Sequence, residues 1–269
     1  MDTTQPTVTV AIPHHGRLMP EKTLGSLYKQ SLRPFEVILA SDTYLDPYIS
    51  RESWPPVRRI NVANNVSIKR NTCANKARGE LVAFTDPDCI PDTDWLENAV
   101  PPFQDGAVVG VEGLVYSDEA RGNFAPRFRS GTYMTANMVY RRSLFQKIQF
   151  DPILGEPPPH GEDTDFGYRA GYYGKIITVK EARVYHEPKH MSIGRLVAQY
   201  LLTRSKHVPL FKKWGAEFPR VVASEEMQHP LYLLALLYGS IRYRSLPPLP
   251  YGLLRVSLRR TFVDEKRKV

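Results

Sequence analysis

The chain has 269 residues, 42% hydrophobic and 24% charged, which allows one large α/β domain with a sizeable core, or a domain plus an appendage. Its two cysteines, Cys73 and Cys89, exclude a disulfide framework and suggest a reducing compartment, and neither a signal peptide nor an apolar run near the ~20 residues of a membrane span is expected. The net charge of +8 is uneven: residues 1–189 hold 22 Lys and Arg against 23 Asp and Glu, residues 190–269 hold 14 against 5, and this asks for nucleic acid or acidic lipid at the C-terminal end. In chain order, Thr7 to Ile12 is a β-rich run ended by Pro13, and Pro20 to Gln30 carries Leu24, Leu27 and Tyr28 at near-helical spacing. Glu36 to Ala40 is a second apolar strand, followed by Ser41 and Asp42. Arg58 to Val62 reads as a third, Val66 to Ala77 as a helix stopped by Gly79, and Glu80 to Phe84 as a fourth strand. Strands and helices alternating this way predict a mainly parallel sheet covered on both faces, whose ligands gather at the carboxyl ends of the strands. Pro13, Asp42 and the pair Asp86 and Asp88 fall at such ends.

The second half predicts a short helix at Asp92 to Val100, a strand at Ala107 to Val115, and an aperiodic loop at 117–131 over a site. Met134 to Tyr140 follows as a strand and Arg142 to Ile148 as a short helix. A proline-rich loop, Pro157 to Gly161, delivers the chain into Glu162-Asp163-Thr164-Asp165, which opens a helix to about Ala170. Acids in a first turn suit the helix dipole, so these residues alone also permit simple N-terminal stabilisation. Lys175 to Val179 and Arg183 to Tyr185 read as strands ending at His186.

Asp86 and Asp88 lie two apart after an apolar strand, so an extended chain points both carboxylates the same way, with Pro87 stiffening the turn. Two anions held close repel unless a cation lies between them, and oxygen ligands suit a hard divalent ion shared with substrate phosphates. The residues alone equally allow a loop of solvated acids.

The motifs together resemble the family 2 glycosyltransferases, whose catalytic domain is the nucleotide-sugar-binding α/β fold called GT-A. The resemblance covers roughly residues 7 to 215. It rests on Val10-Ala11-Ile12-Pro13, Leu24-x-Ser26-Leu27-x-x-Gln30, Glu36-Val37-Ile38, Arg70-Asn71 and Ala77-Arg78-Gly79-Glu80. It continues through Phe84-Thr85-Asp86-Pro87-Asp88-Cys89, Asp94-Trp95-Leu96, Thr135-Ala136-Asn137-Met138, Gly161-Glu162-Asp163-Thr164-Asp165 with Arg169, and Val184-Tyr185-His186-Glu187. The resemblance implies an inverting, metal-dependent transfer from a nucleoside diphosphate sugar, UDP by default, to a hydroxyl of a glycan or lipid-linked acceptor. It implies Asp88 as a direct ligand of Mn²⁺ or Mg²⁺, Asp86 near the ribose or the metal (the DXD motif), and His186 completing the metal site. It implies Asp163 as general base with Glu162 in support, and Pro13, Asp42, Arg70 and Asn137 around the nucleotide, its phosphates or the sugar. Arg169 would pair with one of the acids. The chain departs from the family in Pro13-His14-His15-Gly16-Arg17 after the first strand and in the single acid Asp42 after the second, which leaves the nucleotide open.

The expected division is a catalytic domain at 1–190, with a nucleotide-binding half at 7–90 and an acceptor half at 91–190, and a helical, basic extension at 191–269. There, Met191 to Trp214 is helix-like, Leu231 to Tyr238 is apolar but too short to span, and Tyr251 to Phe262 mixes leucines with arginines. Apolar segments rimmed by Arg and Tyr suit a helix lying in an anionic membrane interface; a helix packed on the catalytic domain is the alternative. The expected location is cytoplasmic and peripheral on the inner face of a membrane. Three rival readings lack support. A nucleotidyltransferase would show a Gly-rich basic loop after the first strand, and a nucleic-acid binder a basic face with stacking aromatics or a known module. A non-catalytic anion binder would have no reason to keep Asp86, Asp88, Asp163 and His186 together.

Overall fold

The computed structural model describes residues 6–16, 20–43, 56–118, 130–218 and 231–245. The chain divides into two compact units, Met1–Met191 and Ser192–Val269. The first is built on an eight-stranded sheet. Its strands are β1 (Val8–His14), β2 (Glu36–Ser41), β3 (Val57–Asn61), β4 (Leu81–Phe84), β5 (Cys89–Pro91), β6 (Val108–Tyr116), β7 (Met138–Arg141) and β8 (Lys175–His186). They lie in the order β3-β2-β1-β4-β7-β6-β8-β5.

β1, β2 and β4 are buried along their whole length, as continuous apolar strands covered on both faces must be. β3 to β4 form a parallel half, whereas β7 runs antiparallel to β4 and β6, and β5 antiparallel to β8. The mainly parallel sheet read from the sequence therefore holds for four strands and becomes mixed beyond them. The parallel half sets the carboxyl ends of β1, β2 and β4 side by side, and Pro13, Asp42 and Asp86 lie at or just beyond them.

The helices of this unit are α1 (Glu21–Tyr28), α2 (Val66–Lys76), α3 (Trp95–Ala99), α4 (Pro152–Gly155) and α5 (Glu162–Ala170). α2 starts where the Asn65 side chain accepts the Ile68 N–H at 3.1 Å. The predicted helix at 92–100 shortens to α3, because Pro101 and Pro102 close it into a 3₁₀ turn. The predicted helix at 142–148 is likewise a 3₁₀ segment, Arg142–Gln146, and 3₁₀ turn Thr135–Asn137 precedes β7. The two strands read at 175–179 and 183–185 are one strand, β8, with a register shift that pairs Gly113 with Val179 and Leu114 with Arg183.

Beneath α5 lies an aromatic cluster. Phe166 stacks on Phe150 at 4.1 Å and on Phe145 at 5.1 Å, and Tyr140 meets it edge-on at 5.0 Å. These rings fix the helix that carries the second acidic motif against the sheet that carries the first. The C-terminal unit contains α6 (Ile193–Arg204), α7 (His207–Trp214) and α8 (Tyr232–Arg242). The single helix read at 191–214 is divided at Ser205 and Lys206, since Pro209 has no N–H to continue the ladder to Ser205. Most of loop 117–131 and all of segment 251–262 lie outside the described residues.

Candidate active site

The chain leaves β4 at Phe84 and turns at once, the Cys89 N–H closing on the Asp86 carbonyl at 3.1 Å. That turn sets Cys89 opposite His186 in the β5–β8 pairing. Oxygens of Asp86 and Asp88, the Cys89 sulfur and a His186 nitrogen all lie within 4.8 Å of one another. His186 Nδ1 faces the Glu187 carbonyl at 3.0 Å, which can only accept, so the ring proton belongs on Nδ1. Nε2 lies 3.6 Å from Asp88 Oδ1.

This donor set fits a hard divalent cation. Two carboxylates and an imidazole are the oxygen and nitrogen ligands that Mn²⁺ and Mg²⁺ accept, and opposite ligands of an octahedral ion lie about 4.2 Å apart. Burial pushes the Cys89 thiol well up, helped by the Asp86 and Asp88 charges, so it stays protonated and joins the core. In this structure the Lys189 ammonium holds Asp88 Oδ2 at 2.6 Å and balances part of the charge.

The second acidic motif arrives at the same place. Gly161 adopts φ +76° at the N-cap of α5, a left-handed conformation open to glycine, and this turns Glu162 and Asp163 inward at the helix start. The link is Arg70, on the inner face of α2 and 4% exposed. Its Nη1 donates to Glu162 Oε1 at 2.8 Å and its Nη2 lies 3.5 Å from Asp86 Oδ1. Burial opposes the Arg70 charge, but Glu162, Asp86 and Asp163 outweigh it and raise its pKa. One guanidinium thus spans two acidic motifs that are 76 residues apart in sequence.

Asp163 receives the Thr164 N–H on Oδ1 at 2.8 Å, and its other oxygen has no hydrogen-bond partner among the described residues. Burial raises its pKa to about 7, the Glu162 anion adds to this, and Arg70 pulls against it. Asp86 is also raised, first by burial and then by Asp88, against Arg70 and His186. Asp165 faces away from this group and accepts Arg169 Nη2 at 2.6 Å, so the expected pairing of Arg169 with an acid is found there.

At the ends of β1 and β2 an open cavity of about 260 Å³ is lined by Pro13, His14, His15, Asn64, Lys69 and the 155–159 loop among others. Lys69 Nζ donates to the His14 carbonyl at 2.7 Å and to Asp42 Oδ1 at 3.0 Å, and His15 Nδ1 meets Asp42 Oδ2 at 2.7 Å. Burial works against ionisation of Asp42, but these partners hold it below the usual carboxylate range. Pro13 and Asp42 therefore sit on one side of the site, and Asp86, Asp88, His186, Arg70, Glu162 and Asp163 on the other.

Asn137 departs from the expected sugar or acceptor contact. It is 1% exposed, accepts Trp95 Nε1 at 2.7 Å, and donates to the carbonyls of Ala182 at 2.8 Å and Leu114 at 3.0 Å. Gly113 makes room for it, since a Cβ there would lie 2.4 Å from its amide. Its side chain ties β6, β8 and α3 to the 3₁₀ turn before β7, so Asn137→Ala is expected to lower stability by about 2–4 kcal/mol, with donor affinity unchanged. Thermal denaturation beside a donor titration checks this. Lys69, Cys89 and Lys189 were not singled out as site residues from the sequence. Lys69 adjoins Arg70 on α2, but neither lysine carries a motif that separates it from a solvated charge.

The model of the glycosyl transferase family 2 matches residues 9–172, a span that includes all of β1 but its first residue, both acidic motifs and α5. The chain belongs to glycosyl transferase family 2. It is 26% identical over 196 residues to EpsH of Bacillus subtilis (strain 168), covering 63% of this chain and 56% of that one. It is 29% identical over 143 residues to the succinoglycan biosynthesis protein ExoM of Rhizobium meliloti (strain 1021), covering 46% of this chain and 45% of that one. The chain spans about half the length of these relatives. Among solved structures, the mannosyltransferase PcManGT of Pyrobaculum calidifontis, in complex with GDP-Man and Mn²⁺, superposes with a TM-score of 0.63. It is 19% identical, covering 97% of this chain and 81% of that one, which shows the shared fold. The fold is thus the GT-A fold.

Proposed function

We propose that this protein is an inverting glycosyltransferase that moves a sugar from a nucleoside diphosphate sugar to a hydroxyl of a glycan or lipid-linked acceptor, with Asp163 as general base. The observation that carries the reading is the Arg70 bridge from Asp86 to Glu162, which sets a half-buried carboxylate, Asp163, beside the Asp86, Asp88 and His186 group at the end of β4.

In this mechanism the cavity lined by Pro13, His14 and His15 takes the nucleoside, Asp42 holds Lys69 and His15 beside it, and Asp86 serves the ribose. A bound Mn²⁺ or Mg²⁺ would be held by Asp88, Asp86 and His186 and would supply Lewis-acid neutralisation of the departing diphosphate. The free oxygen of Asp163 takes the acceptor hydroxyl proton as the acceptor oxygen bonds to the anomeric carbon. The bond from that carbon to the diphosphate oxygen breaks on the opposite face, and the diphosphate leaves with the electron pair. A single displacement inverts the centre. Burial, with the Glu162 anion adding to it, keeps the Asp163 carboxyl high enough to work as a base near neutral pH. Loops 117–131 and 153–160 would select the acceptor, and the basic C-terminal unit would bring the enzyme to an anionic membrane surface on the cytoplasmic side.

The test is a panel of UDP-, GDP- and dTDP-sugars with Mn²⁺ or EDTA. One donor is expected to bind only with metal, and Asp88→Ala should weaken it at least ~100-fold by removing a direct ligand. Binding of no donor under any condition would overturn the reading. Lys189→Ala should tighten Mn²⁺ several-fold, because the ammonium on Asp88 Oδ2 competes for that oxygen. An unchanged Mn²⁺ Kd by calorimetry would show that the ion pair does not compete.

A further inference from the structure

α8 is apolar on both sides. Its inner face, Tyr232, Ala235, Leu236 and Gly239, is buried within the C-terminal unit, where Val208, Tyr232 and Leu236 form one cluster. A Cβ on Gly239 would lie 2.4 Å from the Ser205 carbonyl, so the helix is seated tightly, and Tyr232 OH meets His207 Nδ1 at 2.9 Å. The outer face is therefore not an unpacked core. It presents Leu233, Leu234, Leu237, Tyr238 and Ile241, all 43% exposed or more. Their spacing of 1, 3, 1 and 3 residues makes one continuous stripe. Seven of the eleven exposed large hydrophobic side chains among the described residues lie in this unit, the other two being Ile193 and Val197 on α6.

The charge of α8 and of the residues that follow it to 245 has one sign. α8 contains no acidic residue and ends at Arg242, with exposed Arg244 two positions on. The unit as a whole, Ser192–Val269, holds 14 Lys and Arg against 5 Asp and Glu. Eleven residues make a helix about 16 Å long, roughly half the thickness of a hydrocarbon core, so α8 can lie along a bilayer and not cross it. No described helix is long and apolar enough to cross. A second copy of this chain would meet the stripe with the same surplus of positive charge, whereas an anionic bilayer offers apolar cover and neutralisation together.

We propose that α8 is the membrane-docking element of this protein, its Leu233–Ile241 stripe entering the interface of a bilayer whose anionic headgroups take up the positive charge of the C-terminal unit. This rests on the membrane contact in the proposed function and names the surface that makes it.

The test uses the full chain and sedimentation with phosphatidylcholine vesicles, with and without phosphatidylglycerol. Wild type is expected to bind the phosphatidylglycerol vesicles, less at high salt, and the double variant Leu234→Gln, Leu237→Gln to partition at least roughly tenfold less. Donor hydrolysis in solution, which does not depend on a membrane, should be the same in both and reports that the variant is folded. A fluorophore on Leu237→Cys should shift to the blue on these vesicles, and one on Tyr172→Cys should not. If wild type binds and the double variant binds equally, α8 is not the docking element although the membrane reading stands. If wild type binds no vesicle, both fall. A concentration-dependent dimer that the double variant dissolves, without vesicle binding, would assign the stripe to a second copy and overturn the proposal.

Discussion

Asp163→Asn is expected to bind donor and metal as wild type does and to transfer sugar about 10²–10⁴-fold more slowly, the range ascribed to a positioned general base. The amide can still accept the Thr164 N–H, so the geometry at the start of α5 survives while the proton acceptor is lost. The pH profile gives a second reading. Asp163 must be ionised to act, and its pKa in the folded protein is raised to about 7. Wild-type transfer at saturating donor should therefore climb with pH through about 7 and then level, and residual activity of the variant should lack that step. Stability moves the other way. A carboxyl that holds its proton more tightly folded than unfolded stabilises the fold at low pH, and this is lost progressively as pH rises from about 4 to about 7. Asp163→Asn removes the penalty of ionising there. The metal-free variant should be more stable than wild type at pH 8 by about 1–3 kcal/mol, with little difference at pH 4. Equal melting temperatures at pH 8 would mean that Asp163 is not strained by its surroundings, and a full rate with Asn would remove it as the base.

The residues that carried most of this were legible because their signals are local. Val10 to Ile12, Val37 to Ala40 and Leu81 to Phe84 are apolar throughout, as the centre of a strand buried on both faces of a parallel sheet must be. Gly161 to Gly171 shows its boundaries and its acids in one window. The features that stayed hidden depend on distant partners. Asn137 stands in a run resembling a substrate-contacting motif, yet Trp95, Leu114 and Ala182 take every polar atom of its side chain, and nothing nearby in sequence announces them. Lys189 follows the apolar end of β8 as one more lysine; its position over Asp88 exists only because β5 pairs with β8. The shift at Lys180 to Ala182 looks in sequence like a break between two strands, since a bulge interrupts the alternation without ending the hydrogen-bonded ladder. Arg70 was visible as a basic residue beside a motif, but its bridging role needs the start of α5 within reach of a side chain on α2.

That bridge sets the largest expected effect on the fold. Arg70→Leu keeps part of the apolar stem and removes the guanidinium, which lies 5.7 Å from the Phe150 ring centroid and carries the charge between Asp86, Glu162 and Asp163. Three carboxylates would then share one largely buried space without a cation. Breaking a buried ion pair from one side typically costs about 3–5 kcal/mol, because the partner charge is left desolvated and unpaired. The loss should be near that size at pH 8 in the absence of metal and much smaller at pH 5. The sign follows from linkage: without Arg70 the carboxyls are raised further in the folded state, so the variant takes up protons on folding and regains stability as pH falls. Arg70→Lys keeps one charge but cannot donate from two nitrogens to Glu162 and Asp86 at once, and should fall between. Adding Glu162→Gln to Arg70→Leu should recover part of the stability, since it removes one stranded anion, and the double-mutant cycle measures the bridge directly. Donor turnover should collapse in Arg70→Leu even where the protein is folded, because Asp86 and Asp163 lose the group that fixes their separation. An unchanged melting temperature at pH 8 would mean that solvent, and not Arg70, neutralises this cluster, and the two acidic motifs would then have to be explained as independent sites.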